Sequence, residues 1–555
     1  MMKKWYPEAD TVLLHGTIYT VAITCEEVKA GKSDFPILYD GGVAIKDGRI
    51  IGVDSSDAMK PFVGEHTQLV DTEGKVIAPG FCESHMHCTF TGNNLMTIDM
   101  RPVTSRAEIL RLVKDWAEQT PKEKWIEGNS WNNLIWDDER LITCDELDAV
   151  CPDHPVFLMG TTFHTALVNS MALKAAGITR DTPDPEGGSI GRFEDGTPNG
   201  VLYENSAMGL VQEVIPPKTD AERVEALRRV GRYLNELGIT SAIDANLSYD
   251  QMRAYGFALK ENQLSYRANL MFYLDSAAGD LSYHLRRLDE ACTVTGFGND
   301  RLKLNGVKVT LDGIPYTFTA MMREPYKMDP TTCGSSVWTQ EEITAFVCKA
   351  HEKGWQVGIH TIGDKATDMA LEAFEAANEI SPVWDRRHYL IHYVFPHEDQ
   401  WETMRRLNIG AAMQPTIVSC LGEAPLLYEH QARWNQGAGL MFKHGIICGG
   451  SSDSPVVSPD PILGMYYAVT RIDETSPDQA VIGPECCVTP RQALIMWTKN
   501  SAFFMHDDDK LGSIEVGNLA DLVVINHEFL TDDPEDLRTA KVEKTMLGGT
   551  FVYEA

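Results

Sequence analysis

Two histidines stand one residue apart in the stretch IAPGFCESHMHCTFTG, which covers residues 77–92. The apolar run before them predicts a β-strand, and in a strand the side chains of residues i and i+2 point to the same side. His85 and His87 are therefore expected to reach one point in space. Two convergent imidazoles suit a transition-metal ion, although a single pair of this kind is as often structural.

Four more residues with metal-site or acid–base chemistry fall in other apolar runs. His360 ends QVGIH, His392 lies late in HYLIHYV, and Asp453 ends IICGGSSD. Lys308 lies inside GVKVTL, where an inward-pointing amine must be neutralised or paired. Taken singly, each histidine fits a hydrogen-bonded core residue, Asp453 a turn or helix cap, and Lys308 an outward snorkelling side chain. Together they predict a site for divalent zinc, manganese or iron.

The elements that must position these residues are eight apolar runs separated by helical patterns such as TQEEITAFVCKAHEKG. The predicted strands are VIAPGFCESHMH and residues 238–246, 266–274, 302–311, 356–363, 388–394, 408–415 and 445–453. Eight strands that alternate with helices predict a (β/α)8 TIM barrel of the α/β class. The carboxyl ends of its strands converge on one face, so the six candidate residues are expected to meet there.

The rest of the chain predicts two further units. Residues 1–76 and 485–555 alternate short apolar runs with Gly and Asp turns, and we predict that they pair into one composite, discontinuous β-sandwich. The barrel then comprises residues 77–87 and 238–484. Residues 88–237 are too many for a connecting loop, so they predict an inserted α/β subdomain that covers the active site.

The composition of the chain disfavours some classes of binding partner. The formal net charge of −31 disfavours nucleic acid and anionic membranes as partners, because both are polyanions, and it gives no positive indication of a substrate. No apolar run approaches the roughly 18 residues of a transmembrane helix, and Pro7, Glu8 and Asp10 interrupt a signal-peptide core. We therefore expect a cytoplasmic chain with reduced thiols and no CxxC metal site. The oligomeric state stays open; large barrel enzymes often pair, and a homodimer is one candidate.

Several of these segments match the motifs of a known family. VIAPGFCESHMH, GVKVTLDG, GIHTIGDKATDMALEAFE and SSDSPVVSPDPI resemble its first, fourth, fifth and eighth strand motifs, and FHTALVNSMALKAAGIT its insert motif. The chain thereby resembles the amidohydrolase superfamily, and within it the amidohydrolase-3 group of YtcJ-like proteins, which includes N-substituted formamide deformylase. It departs at Glu83, Tyr389 and Thr162-Phe163, where the group usually has Asp, Arg and Asp-Gly. These departures bear on the choice of substrate.

The resemblance implies a ligand set for a pair of divalent ions, with two zinc ions expected and manganese or iron as alternatives. That set is His85, His87, Lys308, His360, His392 and Asp453. Lys308, carboxylated by CO2, would bridge the two ions; an unmodified Lys308 would leave a one-metal site. Asp453 would also be catalytic, taking a proton from the water and passing it to the leaving nitrogen. His164 of the insert would bind the substrate or its oxyanion, unless it is structural.

Taken with the resemblance, these residues predict a metal-dependent hydrolase that cleaves an amide-type C–N bond other than a peptide bond. The substrate would be a formamide, N-acyl or cyclic amide of a small, partly apolar molecule, attacked by metal-activated hydroxide. The insert aromatics Trp125, Trp131, Trp136 and Phe163 indicate either an apolar substrate group or the insert's own core. Two alternatives remain. A deaminase of a heterocycle would carry HxxE where this chain has HTIGD, and a non-catalytic scaffold would lack several ligands.

Overall fold

Eight parallel strands build the barrel in the computed structural model, which describes residues 6–555 except 102, 123, 134, 135, 137–139, 161–163, 275–278, 292 and 422–425. The strands pair in chain order, and each coincides with one of the predicted apolar runs to within one residue or lies inside it. Their bounds, as barrel strands one to eight, are Phe81–Met86, Ile239–Leu247, Arg267–Tyr273, Leu302–Thr310, Val357–Thr361, Tyr389–His392, Gly410–Met413 and Cys448–Gly450. Ser84 Oγ donates to Gly450 O at 2.9 Å across the seam between strands eight and one. The predicted fold class is confirmed.

Helices follow the barrel strands, and several of them are capped by the side chain that precedes their first residue. The TQEE segment after strand four forms a capping box, in which Thr339 and Glu342 each bond the other's backbone N–H. The helices are Tyr249–Lys260, Leu281–Glu290, Gln340–Glu352, Asp364–Ile380, Glu398–Leu407, Pro415–Leu421, Glu429–Ala432, Ala438–Lys443, Pro461–Thr470, Pro490–Ile495 and Ser501–Phe504. Within the described ranges, no helix combines the length and the apolar character needed to cross a bilayer.

The barrel interior is filled with side chains. Tyr389 on strand six lies inside, and its hydroxyl is 2.9 Å from the sulfur of Met271 on strand three. Gly358 on strand five leaves room for both, because a Cβ there would lie 2.9 Å from Met271 Cε and 3.1 Å from Tyr389 Cζ. This packing makes the barrel a closed core beneath the strand ends rather than a pore.

Both ends of the chain contribute to one eight-stranded sheet. Its strands are Thr11–Tyr19, Ile37–Lys46, Arg49–Ser55, Gln68–Asp71, Val76–Pro79, Leu522–Ile525, Val542–Leu547 and Thr550–Glu554, with short helices at Cys25–Lys29, Ser56–Phe62 and Pro534–Thr539. Val76–Pro79 pairs antiparallel with Leu522–Ile525, which joins the two halves. Ile18, Ile77 and Leu522 are buried in the core that this sheet covers. The β domain is therefore discontinuous in sequence. Together with the barrel it belongs to one compact unit, residues 1–88 and 230–555.

The second compact unit comprises residues 89–229. Its strands are Ile98–Asp99, Ile126–Trp131, Val156–Gly160, Thr165–Val168, Ser189–Arg192 and Pro198–Tyr203. The helices within it are Arg106–Gln119, Cys144–Val150, Ser170–Ala175 and Glu204–Gln212, and the helices Cys88–Asn94 and Asp220–Glu236 contain its boundaries. Trp131 and Trp136 are 3% and 6% exposed and lie in this unit's own core. Trp125 is partly buried against a second cluster, and Phe163 lies outside the described residues.

Candidate metal centre

His85, His87 and Asp453 come together where barrel strand one ends. Asp453 Oδ1 lies 3.1 Å from His85 Nε2 and 3.1 Å from His87 Nε2. Backbone hydrogen bonds hold the loop after strand eight against strand one: Asp453 N donates to His85 O at 3.0 Å, and His87 N donates to Ser454 O at 2.8 Å. Two residues from the first strand region and one from the loop after the last strand therefore face one another.

The other three predicted ligands lie beside this group. Lys308 Nζ is 3.4 Å from His85 Nε2, and the His85 and His392 ring centroids are 5.3 Å apart. The ring centroids of His360 and His392 are 4.5 Å apart. The structure thus brings all six predicted side chains from the barrel to one place, and they are mostly or wholly buried.

The backbone is unusual at two of these residues. His392 has φ 76° and Asp453 has φ 57°, both in the left-handed region that residues with a Cβ rarely adopt. Such conformations persist where the surrounding structure enforces them, and they concentrate at functional sites. His392 is the last residue of strand six, and Asp453 lies three residues after the end of strand eight.

Burial determines the charge of the side chains at this site. It lowers the pKa of His85 and of His360 well below the usual value, and lowers the pKa of His392 to about 4. The imidazoles of these three residues are therefore neutral at pH 7. Burial opposes ionisation of Asp453, but the neighbouring imidazoles, that of His392 first, keep its pKa well below the usual range. Burial lowers the pKa of Lys308 to about 8.

The residues fit a divalent cation. Among the residues that the structure describes, the buried atom His360 Nε2 has no hydrogen-bond partner, which is costly unless a ligand satisfies it. One ligand atom each from His85, His392 and Asp453 lie within 4.8 Å of one another. Imidazole nitrogens with a carboxylate oxygen are the donor set of zinc, manganese and ferrous iron.

Glu83, noted in sequence only as a departure from the motif, has a direct structural role at this site. It is fully buried on strand one, and its Oε1 accepts from His85 N at 3.1 Å and from Ser452 N at 3.0 Å. Burial raises its pKa to about 8. The carboxyl group therefore ties the strand that carries His85 to the loop that carries Asp453.

Asp312, which was not among the predicted site residues, connects two other strand ends. Its carboxylate accepts from Ile362 N at 3.0 Å and Gly363 N at 2.8 Å, and one oxygen lies 3.9 Å from His360 Nε2. Burial raises the pKa of Asp312 to about 7. The available signal was its position directly after the apolar strand-four run, at the strand end where the other candidate residues were expected.

His164, the predicted substrate-binding residue, belongs to the second unit. Its Nδ1 lies 2.7 Å from Glu204 Oε2, and both side chains are about half exposed. This contact orients the imidazole within its own unit. The role of His164 in substrate binding stays a prediction.

Comparison with known proteins shows which family the chain resembles in sequence. The Amidohydrolase family model matches residues 68–553. The chain is 30% identical to putative amidohydrolase YtcJ of Bacillus subtilis over 92% of this chain and 96% of the relative. It is 31% identical to protein LONG AFTER FAR-RED 3 of Arabidopsis thaliana (98% and 92%), and 25% identical to N-substituted formamide deformylase of Arthrobacter pascens (92% and 94%).

A solved structure agrees with these relatives. The structure of an uncharacterised metal-dependent hydrolase from Pyrococcus furiosus superimposes with a TM-score of 0.75 at 25% identity, covering 94% of this chain and 100% of that one. The family match spans far more than half of the sequence and includes all six candidate ligands. This chain therefore belongs to the amidohydrolase family of metal-dependent hydrolases.

Proposed function

We propose that this chain hydrolyses an amide-type C–N bond, in a formamide, N-acyl or cyclic amide, of a small, partly apolar molecule. The observation that carries the proposal is the convergence of His85, His87 and Asp453, with Asp453 Oδ1 3.1 Å from both Nε2 atoms. Membership of the amidohydrolase family supports hydrolysis. The name of its relative N-substituted formamide deformylase supports a bond of the amide type.

Six side chains would hold two divalent cations, with zinc the expected metal: His85, His87, Lys308, His360, His392 and Asp453. A bound cation would supply the Lewis acidity that lowers the pKa of water from 15.7 to about 7. Lys308 Nζ would first add to CO2, forming an N–C bond and releasing a proton. The resulting carbamate replaces a costly buried cation with an anion that suits two metal ions.

Asp453 would move the proton in the reaction. Its carboxylate, whose pKa lies well below the usual range, would accept a proton from the water that attacks the carbonyl carbon. It would return that proton to the nitrogen as the C–N bond breaks, so that the products are a carboxylic acid and an amine. His85 and His87, fixed on one strand end, would keep this carboxylate in place.

The experiment is a panel of N-formyl, N-acetyl and cyclic amides assayed with wild type and with Asp453→Asn. Loss of the proton acceptor is expected to lower kcat by about 10²–10⁴-fold. The matched control is Asp460→Asn in the same loop, because Asp460 caps the helix Pro461–Thr470 and asparagine caps equally well. We expect that control to retain wild-type activity.

Two results would overturn the proposal. Release of ammonia from an aminated heterocycle, with no amide cleaved, would assign a deaminase, although Gly363 occupies the place of its HxxE glutamate. Purified protein that binds no metal and turns over nothing would indicate a non-catalytic scaffold. The metal content of the purified protein distinguishes a two-metal site from a one-metal site. We expect about two metal ions per chain if Lys308 is carboxylated and about one if it is unmodified.

A further inference from the structure

The side-chain amide of Gln414 contacts the imidazole of His392. Gln414 directly follows barrel strand seven and is fully buried. Its Oε1 lies 2.9 Å from His392 Nδ1. Its Nε2 lies 3.1 Å from Ala412 O and 2.8 Å from Ser451 Oγ. Every polar atom of this side chain therefore has a partner.

These contacts fix which way the amide points. Ala412 O is a carbonyl and can only accept, so the atom that faces it must be the NH2 group of Gln414. Ser451 Oγ donates its own hydrogen to Met413 O at 3.0 Å, which leaves it an acceptor for the same NH2 group. The oxygen of Gln414 must then face His392, and His392 Nδ1 must be the donor in that hydrogen bond.

A buried hydrogen-bond network beyond Gln414 holds its backbone in place. The backbone N–H of Gln414 donates to Gln436 Oε1, and Gln436 N donates to Val394 O at 2.7 Å. The guanidinium of Arg471, 1% exposed, donates to Gln436 O at 3.2 Å and to Asn435 O at 2.7 Å. The loops after strands six and seven are thus bonded to one another around the amide.

His85 and His392, which each place one ligand atom within 4.8 Å of the other and of Asp453, differ in this respect. Within the described part of the chain, the buried His85 Nδ1 has no hydrogen-bond partner, whereas His392 Nδ1 has Gln414. We propose that Gln414 is a positioning residue that holds His392 as the Nδ1–H tautomer, so that Nε2 is the atom left to bind a cation. This inference rests on the proposed function, and it predicts that one of two metal equivalents depends on Gln414.

The variants are Gln414→Met and Gln414→Glu, with Gln356→Met as the matched control. Methionine has a similar volume but no acceptor for Nδ1–H, whereas a protonated glutamate keeps a carbonyl oxygen toward His392. Gln356 is equally buried and also makes three side-chain hydrogen bonds, with Asn305 Nδ2 at 2.7 Å, Arg387 O at 2.8 Å and Phe504 O at 3.1 Å. None of these bonds involves one of the six candidate ligands. The Gln356→Met variant therefore measures the effect of losing a buried side-chain amide that does not contact the site.

The first measurement is ¹⁵N NMR of the imidazoles in metal-free, histidine-labelled protein, where the His392 signals are those that disappear in His392→Asn. We expect the Nδ1–H tautomer in wild type, in Gln414→Glu and in Gln356→Met, and a mixture or the Nε2–H tautomer in Gln414→Met. An Nδ1–H tautomer that persists in Gln414→Met, or an Nε2–H tautomer in wild type, would overturn the inference.

The second measurement is zinc titration against a competing chelator. Gln414→Met is expected to weaken one equivalent by about 10–100-fold and leave the other unchanged, with Gln414→Glu restoring it. Equal weakening in Gln356→Met would overturn the inference, because the effect would then be general. If wild type binds no metal or cleaves no amide, the proposed function fails, while the NMR result on metal-free protein still decides the role of Gln414.

Discussion

The buried ion pair between Arg267 and Asp521 links barrel strand three to the C-terminal part of the chain. Arg267 Nε and one terminal nitrogen each lie 2.7 Å from a different Asp521 oxygen, and the two side chains are 6% and 2% exposed. Asp521 Oδ1 also accepts from Gly548 N at 2.8 Å. Asp521→Ala would leave a guanidinium buried without its counter-charge. We expect the free energy of unfolding to fall by about 3–5 kcal/mol.

That range corresponds to an increase of roughly 10²–10⁴-fold in the unfolding equilibrium constant, at 1.36 kcal/mol per tenfold. Urea denaturation followed by circular dichroism measures this change in stability. The slope of the free energy of unfolding against urea concentration shows whether the variant and the wild type undergo the same transition. In Arg267→Met/Asp521→Leu no charge remains to be desolvated, so we expect most of the lost stability to return. Lys60→Ala, which breaks an exposed pair with Asp57, is the control and should not shift the transition. Two results would refute the argument from desolvation. One is a free energy of unfolding for Asp521→Ala that matches the control, and the other is a double variant that is less stable than Asp521→Ala.

Two further substitutions test the packing and the histidines outside the site. Gly358→Ala should cost about 1–3 kcal/mol in the same urea assay, because the new Cβ would lie 2.9 Å from Met271 Cε and 3.1 Å from Tyr389 Cζ; an unchanged midpoint would contradict this packing. His388 is fully buried with Nε2 3.1 Å from His351 Nδ1, and burial keeps its pKa well below the usual value. Its neutral form therefore stabilises the fold fully above the unfolded-state pKa of about 6.5, and that contribution is lost as the pH falls below it. Unfolding measured from pH 7.5 to 5 should show a slope for His388→Gln that is smaller than wild type by up to about 1.36 kcal/mol per pH unit; equal slopes would exclude this role.

The barrel was predictable because its signals are local. Apolar runs of strand length separated by helical patterns identify eight strands, and strand order alone brings their carboxyl ends to one face. His85, His360 and Asp453 could therefore be grouped from the amino-acid sequence alone. The run 445–453 was predicted as one strand, but the strand itself is only Cys448–Gly450. The chain turns away after it, and Asp453 has φ 57°, which faces its side chain toward His85.

The supporting contacts could not be predicted because they depend on how loops meet. The sequence does not show that the Gln414 amide reaches an imidazole 22 residues away. Nor does it show that the Asp312 carboxylate bonds backbone N–H groups 50 and 51 residues later. In the insert, aromatic residues suit a substrate pocket and a core equally well, and only the structure shows Trp131 and Trp136 inside a core.

The proposed chemistry depends on His85 and His87 binding a divalent cation beside Asp453. The most direct measurement is metal content by mass spectrometry together with amide hydrolysis, for wild type and for His85→Asn/His87→Asn, with His66→Asn as an exposed histidine control. We predict about two equivalents of metal in wild type and in the control. The double variant should lose at least one equivalent and nearly all turnover, because its binding site then lacks two of its imidazoles. Full metal content and undiminished turnover in the double variant would contradict the proposed chemistry.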